Sequence, residues 1–340
     1  MNTQTLDTQR LIDWLRNQGL SDADTISAEK FAGGQSNPTF KITAGAQQFV
    51  LRRKPPGVLL ASAHAVDREF RVISALGDTD VPVPGAVALC EDEGVIGSMF
   101  YLMDFMEGRV FWDPALPEVS QTERTAIYDD MNRVLAALHS VDVDAVGLSD
   151  YGRPGNYFER QVSRWSKQYR ASETETIQAM EALMAWLPEN MPADDGRVSL
   201  VHGDYRLDNV MFHPQEPRII AVLDWELSTL GNPIADLAYQ VMAWQLPRDA
   251  GINGMAGVDR SALGIPADES YVRAYCERTG RDDISNWNFY LAFCFFRLAA
   301  IVQGVKKRAL DGTASSTEAD SRGELVAPLA ELGLGCVEGR

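Results

Sequence analysis

The sequence is poor in cysteine, histidine and basic charge, and each shortage closes off a class of function. The four cysteines (Cys90, Cys276, Cys294, Cys336) are scattered over 340 residues with no C-x-x-C. A disulfide framework or thiolate zinc site is not expected, and a reducing, cytoplasmic setting fits. Only four histidines are present, which speaks against an all-histidine metal centre. There are 31 basic and 48 acidic residues, a formal net charge of −17. That is the wrong sign for a general nucleic-acid binder or for docking on an anionic membrane. The N-terminal stretch lacks a basic start followed by an apolar run. The most apolar stretch, Tyr290 to Val305, is short for a bilayer span and contains Arg297 and Gln303, so it reads as a buried core helix. No internal repeat is visible.

What is present is an ordinary globular chain, 45% hydrophobic, long enough for one large domain or two smaller ones. Leu11, Ile12 and Leu15 predict an amphipathic helix after Asp7 or Thr8. Phe40 to Thr43 and Gln47 to Arg52 are β-type runs joined by Ala44-Gly45-Ala46, a hairpin signal. Val66, Phe70, Ile73 and Leu76 make a helical stripe within Ala63 to Leu76. Ala86 to Leu89 and Met99 to Phe105 predict further strands. Beyond Gly108 helical patterns dominate, over Glu123 to His139, Tyr157 to Tyr169 and Glu173 to Trp186, then on to Lys307. They are interrupted by two apolar strands, Val198 to Val201 and Ile219 to Leu223. Thr313 to Gly323 reads as a mobile surface segment. The expected fold class is α+β: a small β-rich lobe over 1–107, then a larger, mostly helical lobe over 108–340. A cleft at such a join is a common ligand site.

The strongest chemical signal is His202-Gly-Asp-Tyr-Arg-Leu-Asp-Asn209, a loop leaving an apolar strand. A second apolar strand ends in Leu223-Asp-Trp-Glu226. Two strand ends thus deliver Asp204, Asn209, Asp224 and Glu226. Carboxylate and amide oxygens in such a group suit a hard cation such as Mg²⁺, which also takes water and phosphate oxygens. Asp204 can accept a proton from an attacking hydroxyl while Asn209 and Asp224 hold the metal. The competing reading makes Asp204 and Asp224 loop-capping residues.

H-x-D-x-x-x-x-N followed by a strand-end Asp is similar to the catalytic and metal loops of protein kinases. The wording H-G-D-x-x-x-x-N, then L-D-W-E, then G-N-P-x-x-D-L-A resembles the aminoglycoside phosphotransferase family of that superfamily. More narrowly, it resembles the kinase-like domain associated with acyl-CoA dehydrogenases. The resemblance runs over about residues 27 to 310 and implies a bilobal protein-kinase-like fold. It further implies a catalytic loop at 202–209, a metal loop at 223–226 and a hinge near 103–108.

By that resemblance the small lobe binds ATP. Ser36 and Asn37, after Gly33 and Gly34, would cover the nucleotide phosphates. Val50 would touch the base, and Arg52 would take the α/β-phosphates where kinases use Lys, with Arg53 as the alternative. Glu69 sits on the apolar stripe of its helix and needs a partner there; the family pattern implies Arg52. Met103 would back the adenine pocket, with a carbonyl from Asp104 and an N–H from Met106 reaching the base. Arg206 matches the Lys of the protein-kinase loop and would neutralise the transferring phosphoryl group. His202 and Asp236 would brace the catalytic loop. Glu226 stands at the Gly of D-F-G as a supplementary metal ligand or a brace.

The acceptor is less visible. Tyr151-Gly-Arg-Pro-Gly-Asn-Tyr157 leads into a helix carrying Arg160, Arg164 and Lys167 as one basic stripe, with Tyr157 beside it. In so acidic a chain the stripe suits an anionic substrate such as the phosphates of an acyl-CoA; a solvated, ion-paired face is the competing reading. The subgroup resemblance implies a hydroxyacyl-CoA phosphorylated on a chain hydroxyl, and a functional link to an acyl-CoA dehydrogenase. An aminoglycoside or amino alcohol is the alternative acceptor. A catalytically silent nucleotide- or acyl-CoA-binding module is the alternative function. A protein kinase is disfavoured, because too little chain separates Asp224 from Asp236 for an activation segment.

Overall fold

The computed structural model describes residues 6–31, 37–55, 65–248, 254–312 and 323–338. Gly33, Gly34, Ser36 and most of the segment from Thr313 lie outside these. The chain divides into two units. The first comprises 1–109, 146–148 and 210–228, and the second 110–145, 149–209 and 229–340.

The first unit is built on a five-stranded sheet in the order β1-β2-β3-β5-β4, with every pairing antiparallel. The strands are β1 (Ile26–Lys30), β2 (Thr39–Ala44), β3 (Gln47–Arg53), β4 (Ala86–Cys90) and β5 (Phe100–Asp104). The β2–β3 hairpin turns at Gly45, whose φ of +62° suits glycine. Side-chain alternation sorts β3 into two faces. Phe49 and Leu51 join Phe40, Ile42, Phe100 and Leu102 in an apolar core capped by α1 (Thr8–Asn17), which supplies Leu11 and Leu15. Asp7 caps that helix by accepting from the Arg10 N–H. Val50 and Arg52 take the opposite face, where α2 (Val66–Leu76) packs against β4 and β5. A small antiparallel pair, β7 (Val210–Phe212) and β8 (Ile219–Val222), belongs to this unit. It is tied on by Arg109, which exchanges backbone hydrogen bonds with Phe212, and by the Val222 N–H, which donates to the Pro82 carbonyl. The segment carrying Asp224, placed by sequence within a continuous 108–340 lobe, therefore clusters with the sheet.

The second unit is helical. Its axis is α9 (Trp287–Leu310), against which pack α4 (Tyr157–Ser172), α5 (Gln178–Glu189), α6 (Ile234–Trp244) and the last helix, Val326–Glu338. The α9 helix is long and apolar enough to cross a membrane, yet 78% of its most apolar window is buried. It is a core helix, as its Arg297 and Gln303 suggested. α3 (Gln121–His139) packs on α8 (Asp268–Thr279) and on β6 (Ser199–Val201), which pairs with β9 (Thr229–Gly231). Four elements escaped sequence analysis: β1, whose exposure pattern is weak, the three-residue β7 and β9, and the last helix. α5 begins at Gln178 rather than at Glu173.

Candidate active site

Each unit carries one polar cluster. In the first, Glu69 is buried on α2 and fully engaged. Its Oε2 ion-pairs with Arg52 Nε at 2.8 Å and accepts from the Tyr101 hydroxyl at 3.2 Å. Its Oε1 accepts from Asn37 Nδ2 at 2.6 Å. Arg52 extends the cluster, donating to Asp224 Oδ1 at 2.5 Å and lying 3.8 Å from Glu226 Oε2. Asp224 follows β8 in a left-handed conformation, φ +62° and ψ +65°. Its short polar side chain tolerates that geometry, which recurs at functional sites. Burial pushes the Glu69 carboxyl up to about 7; Arg52 works against that, the charges of Asp224 and Glu226 add to it, and Asn37 opposes it.

Sheet register explains why Arg52 and not Arg53 takes this role. Arg52 lies opposite Tyr101 on the face turned to α2, and its guanidinium reaches Glu69. Arg53 points to the other face, buried against the Phe40 ring and donating to the Ile96 carbonyl. β3 is an interior strand, so neither arginine sits on a solvated edge. Arg68 and Arg71, the rival partners for Glu69, reach instead the carbonyls of Ser228 and Gly147. Asn37 departs from expectation: it was to cover phosphates, but it is fully buried with its amide on Glu69. Val50 faces the same side as Arg52, with Met103 its register partner on β5. Asp104 closes β5 and gives its N–H to the Gly85 carbonyl, and Met106 follows it.

The second cluster is a loop held from behind. Gly203 has φ +85°, a turn that strongly favours glycine. It brings Asp204 to follow a backbone gripped by Asp236. One Asp236 oxygen accepts from the His202 N–H at 2.6 Å and the other from the Gly203 N–H at 2.8 Å. His139 Nε2 lies 3.3 Å from the same carboxylate and its Nδ1 is 2.8 Å from the Tyr275 hydroxyl. Burial disfavours the Asp236 charge, but the His139 and His202 contacts outweigh it and hold the pKa below the usual carboxylate value. The buried His202 accepts from the Asp204 N–H at 3.2 Å. His202 and Asp236 thus form the brace the motif suggested.

Asp204 and Asn209 meet within this loop. Asn209 Nδ2 donates at 2.9 Å both to Asp204 Oδ2 and to its carbonyl. Arg206 pairs with Asp208 at 2.6 Å and lies 3.7 Å from Asp204 Oδ1. Burial, and next the charge of Asp204, push the Tyr239 phenol up from its ordinary value. Because the Asn209 amide nitrogen is committed to Asp204, the carbonyl oxygen is the end left to a cation. Carboxylate and amide oxygens are the donors Mg²⁺ accepts, and two or fewer protein carboxylates are enough for it. The residues therefore fit that ion, although among the described residues no group of three or more acidic, histidine or cysteine side chains converges as a closed cage.

A cavity of about 370 Å³ opens beside this loop. Arg206, Asp208 and Tyr239 line it together with a wall of apolar side chains that includes Trp112, Trp244, Leu298 and Val305. The basic stripe lies elsewhere on the same unit: Arg160, Arg164 and Lys167 line a shallow groove with Pro154 and Ser163. Arg160 is occupied there, donating to the carbonyls of Arg153, at 2.6 Å, and of Gly155, and Arg164 lies over the Trp165 ring. Tyr157 corrects the sequence reading. It is buried rather than facing the stripe, its ring so close to Gly231 that a Cβ there would meet it at 2.6 Å. Burial pushes its phenol up to about 12. Tyr101, His139, Tyr239 and Arg297 are the contacts that sequence reasoning missed; nothing in local pattern marks a residue whose partner comes from another element.

A family model described as the phosphotransferase enzyme family, APH, matches residues 27–285. The chain belongs to this family. A solved structure of a Ralstonia eutropha protein named as an aminoglycoside phosphotransferase is 53% identical, with a TM-score of 0.90 over 98% of this chain and 99% of that one. A thermostable variant of the aminoglycoside phosphotransferase APH(4)-Ia, bound to AMP-PNP and hygromycin B, shares the fold at 16% identity, with a TM-score of 0.61 over 97% and 99% of the two chains. Among curated relatives, acyl-CoA dehydrogenase family member 10 of Mus musculus is 52% identical over 89% of this chain, and member 11 of Rattus norvegicus 46% over 91%. The chain spans only 28% and 40% of those two proteins. As a member of this family the protein is a phosphotransferase with the kinase-like α+β architecture.

Proposed function

We propose that this phosphotransferase moves the γ-phosphoryl group of ATP onto an aliphatic hydroxyl of a hydroxyacyl-CoA. The observation that carries the acceptor class is the largely apolar cavity lined by Tyr239 and by Arg206, which lies 3.7 Å from Asp204. A polycationic aminoglycoside would favour an acidic pocket, whereas an acyl chain matches apolar walls with a few polar groups at one end. The relatives named as acyl-CoA dehydrogenase family members support the same class and a functional link to such an enzyme. Arg164 and Lys167 are assigned to the anionic end of the acceptor.

Asp204 accepts the proton of the acceptor hydroxyl as its oxygen bonds to the γ-phosphorus and the bond to the β–γ bridging oxygen breaks, releasing ADP. Positioning and charge neutralisation supply most of the rate in such transfers. Arg206 screens the equatorial phosphoryl oxygens. Arg52, held by Glu69, takes the α/β-phosphates bidentately. Val50, Met103, the Asp104 carbonyl and the Met106 N–H receive the base, with Ser36 over the phosphates. Asn209 and Asp224, with Glu226 in support, are the residues that would hold Mg²⁺. When bound, that ion neutralises phosphate charge and aligns the leaving group.

The test is a phosphorylation panel with MgATP: hydroxyacyl-CoAs of C4 to C8 chain length, sugars, amino alcohols and aminoglycosides, read by mass spectrometry and ³¹P NMR. A phosphate ester on a hydroxyacyl-CoA is the expected product. Phosphate only on an aminoglycoside or amino alcohol overturns the acceptor, and nucleotide binding without turnover returns the silent module.

A further inference from the structure

The cavity beside the catalytic loop draws its apolar lining from elements of different kinds. One is a stripe on α9. Leu298, Ile301, Val302 and Val305 follow i, i+3, i+4, i+7 spacing and so share a helical face, and all four line the cavity. Leu298, Ile301 and Val305 are only half-buried, on a helix whose other faces are mostly core. The other is the segment 110–119 ahead of α3, which carries Trp112. Among the described residues Trp112 is the most exposed of the large apolar side chains, at 66%, yet it lines the same cavity.

The backbone around Trp112 is held in place from several directions. Leu116 is buried with φ +50°, a left-handed conformation that leucine adopts only at a cost. The buried Arg124 secures it, donating to the carbonyls of Leu116 at 2.7 Å, Val119 at 2.9 Å and Leu263 at 2.7 Å. The Tyr128 hydroxyl donates to the Pro114 carbonyl at 2.5 Å. Asp113, next to Trp112, accepts from the Ala115 N–H at 2.9 Å and from Arg248 at 2.7 Å. Backbone strain that the surroundings over-determine clusters at ligand clamps. An indole kept on such a loop with most of its surface in water is unfavourable until an apolar ligand covers it.

We propose that Trp112 is a specificity-determining residue of the acceptor site: its indole packs on the acyl chain, with the α9 stripe as the second wall. The inference rests on the reading of this cavity as the acceptor site, where Arg206 lies 3.7 Å from Asp204. Each methylene buried between the two walls adds affinity, so long chains are preferred to short ones.

The experiment measures binding of butanoyl-CoA and octanoyl-CoA, which lack the reacting hydroxyl, to the full chain by isothermal titration calorimetry. Beside it, kcat/KM is measured for the C4 and C8 hydroxyacyl-CoAs. Wild type should favour C8 over C4 by about tenfold or more in both. Trp112→Ala should cut that ratio about tenfold, with a wild-type melting midpoint because the side chain is exposed, and Trp112→Phe should keep part of it. Ile301→Phe, which fills the cavity from the α9 side, should lower the ratio as far as Trp112→Ala. A ratio unchanged in Trp112→Ala overturns the role of Trp112 and leaves the acceptor reading in place, as does a wild type that treats C4 and C8 alike while phosphorylating both. Wild type that binds neither acyl-CoA and phosphorylates neither hydroxyacyl-CoA overturns both the role and the reading beneath it.

Discussion

The two polar clusters are built on opposite principles. In the first unit, side chains hold one another: Glu69, Arg52, Asp224 and Glu226 form a charge chain from three separate stretches of sequence, with Asn37 and Tyr101 filling the remaining positions on Glu69. In the second, side chains hold backbone: Asp236, His202 and Arg297 bond the peptide groups of the His202–Asp204 loop. The first is an electrostatic balance, which pH and counter-ions can shift. The second is a geometric clamp, stiff because the hydrogen bonds from Asp236 and Arg297 are buried. A residue that must meet a mobile, highly charged nucleotide suits the former, and a proton acceptor that must not wander suits the latter.

That contrast breaks most sharply at Asp204. Asp204→Ala should reduce kcat by about 10²- to 10⁴-fold, the usual worth of a positioned general base, while fluorescent-nucleotide titration shows unchanged affinity. Lost nucleotide binding would erase the division of labour. Glu69→Ala, in the other cluster, should cost about 1–3 kcal/mol of stability, because it removes the acceptor of the buried Asn37 amide and Tyr101 hydroxyl while Arg52 keeps Asp224, and should weaken nucleotide binding; urea unfolding and the same titration read both. Asp236→Asn keeps the shape but offers an N–H where two N–H donors arrive. A loss of about 1–3 kcal/mol is expected from the mismatch, with kcat falling more than the affinity for nucleotide.

The pH response should separate the clusters further. Glu69 titrates near 7 in the folded chain, above the ordinary carboxylate value. A raised acid stabilises the fold fully below its unfolded pKa, and the contribution is lost as pH rises through 7. Wild type should therefore lose stability relative to Glu69→Gln between pH 5 and 8. Over the same window its nucleotide affinity should rise as the ionised carboxylate comes to hold Arg52, whereas in Glu69→Gln it stays flat. Parallel slopes in the two proteins would remove Glu69 as the titrating group. The smallest effect belongs to the basic groove. Arg164→Ala with Lys167→Ala should raise KM for an acyl-CoA acceptor by a few-fold, about 1 kcal/mol for exposed charges, leaving KM for ATP alone.

Sequence reasoning reached the start of the first helix at Asp7, the hairpin and the apolar setting of Glu69 because each rests on local order, whereas Arg52 as the partner of Glu69 came from the family resemblance. Strand alternation separates Arg52 from Arg53, and helical spacing puts Glu69 on an apolar face where only a partner makes it tolerable. It erred at Tyr157, where aromatic and basic residues share a helix but not a face, and at Asn37, whose motif position pointed to phosphate while its amide found a buried carboxylate. It also ran the second lobe straight through β7 and β8, since nothing local shows that Arg109 and Pro82 recruit that pair to the sheet.

Read alone, then, the chain settles which residues carry oxygen donors and in what order, because a motif is a matter of spacing. Which cation lies beneath Gly203 and which wall of side chains faces Arg206 were decided only by folding. Those neighbours come from helices more than thirty residues distant in the chain, and burial, not proximity in sequence, chooses the partners of a charge.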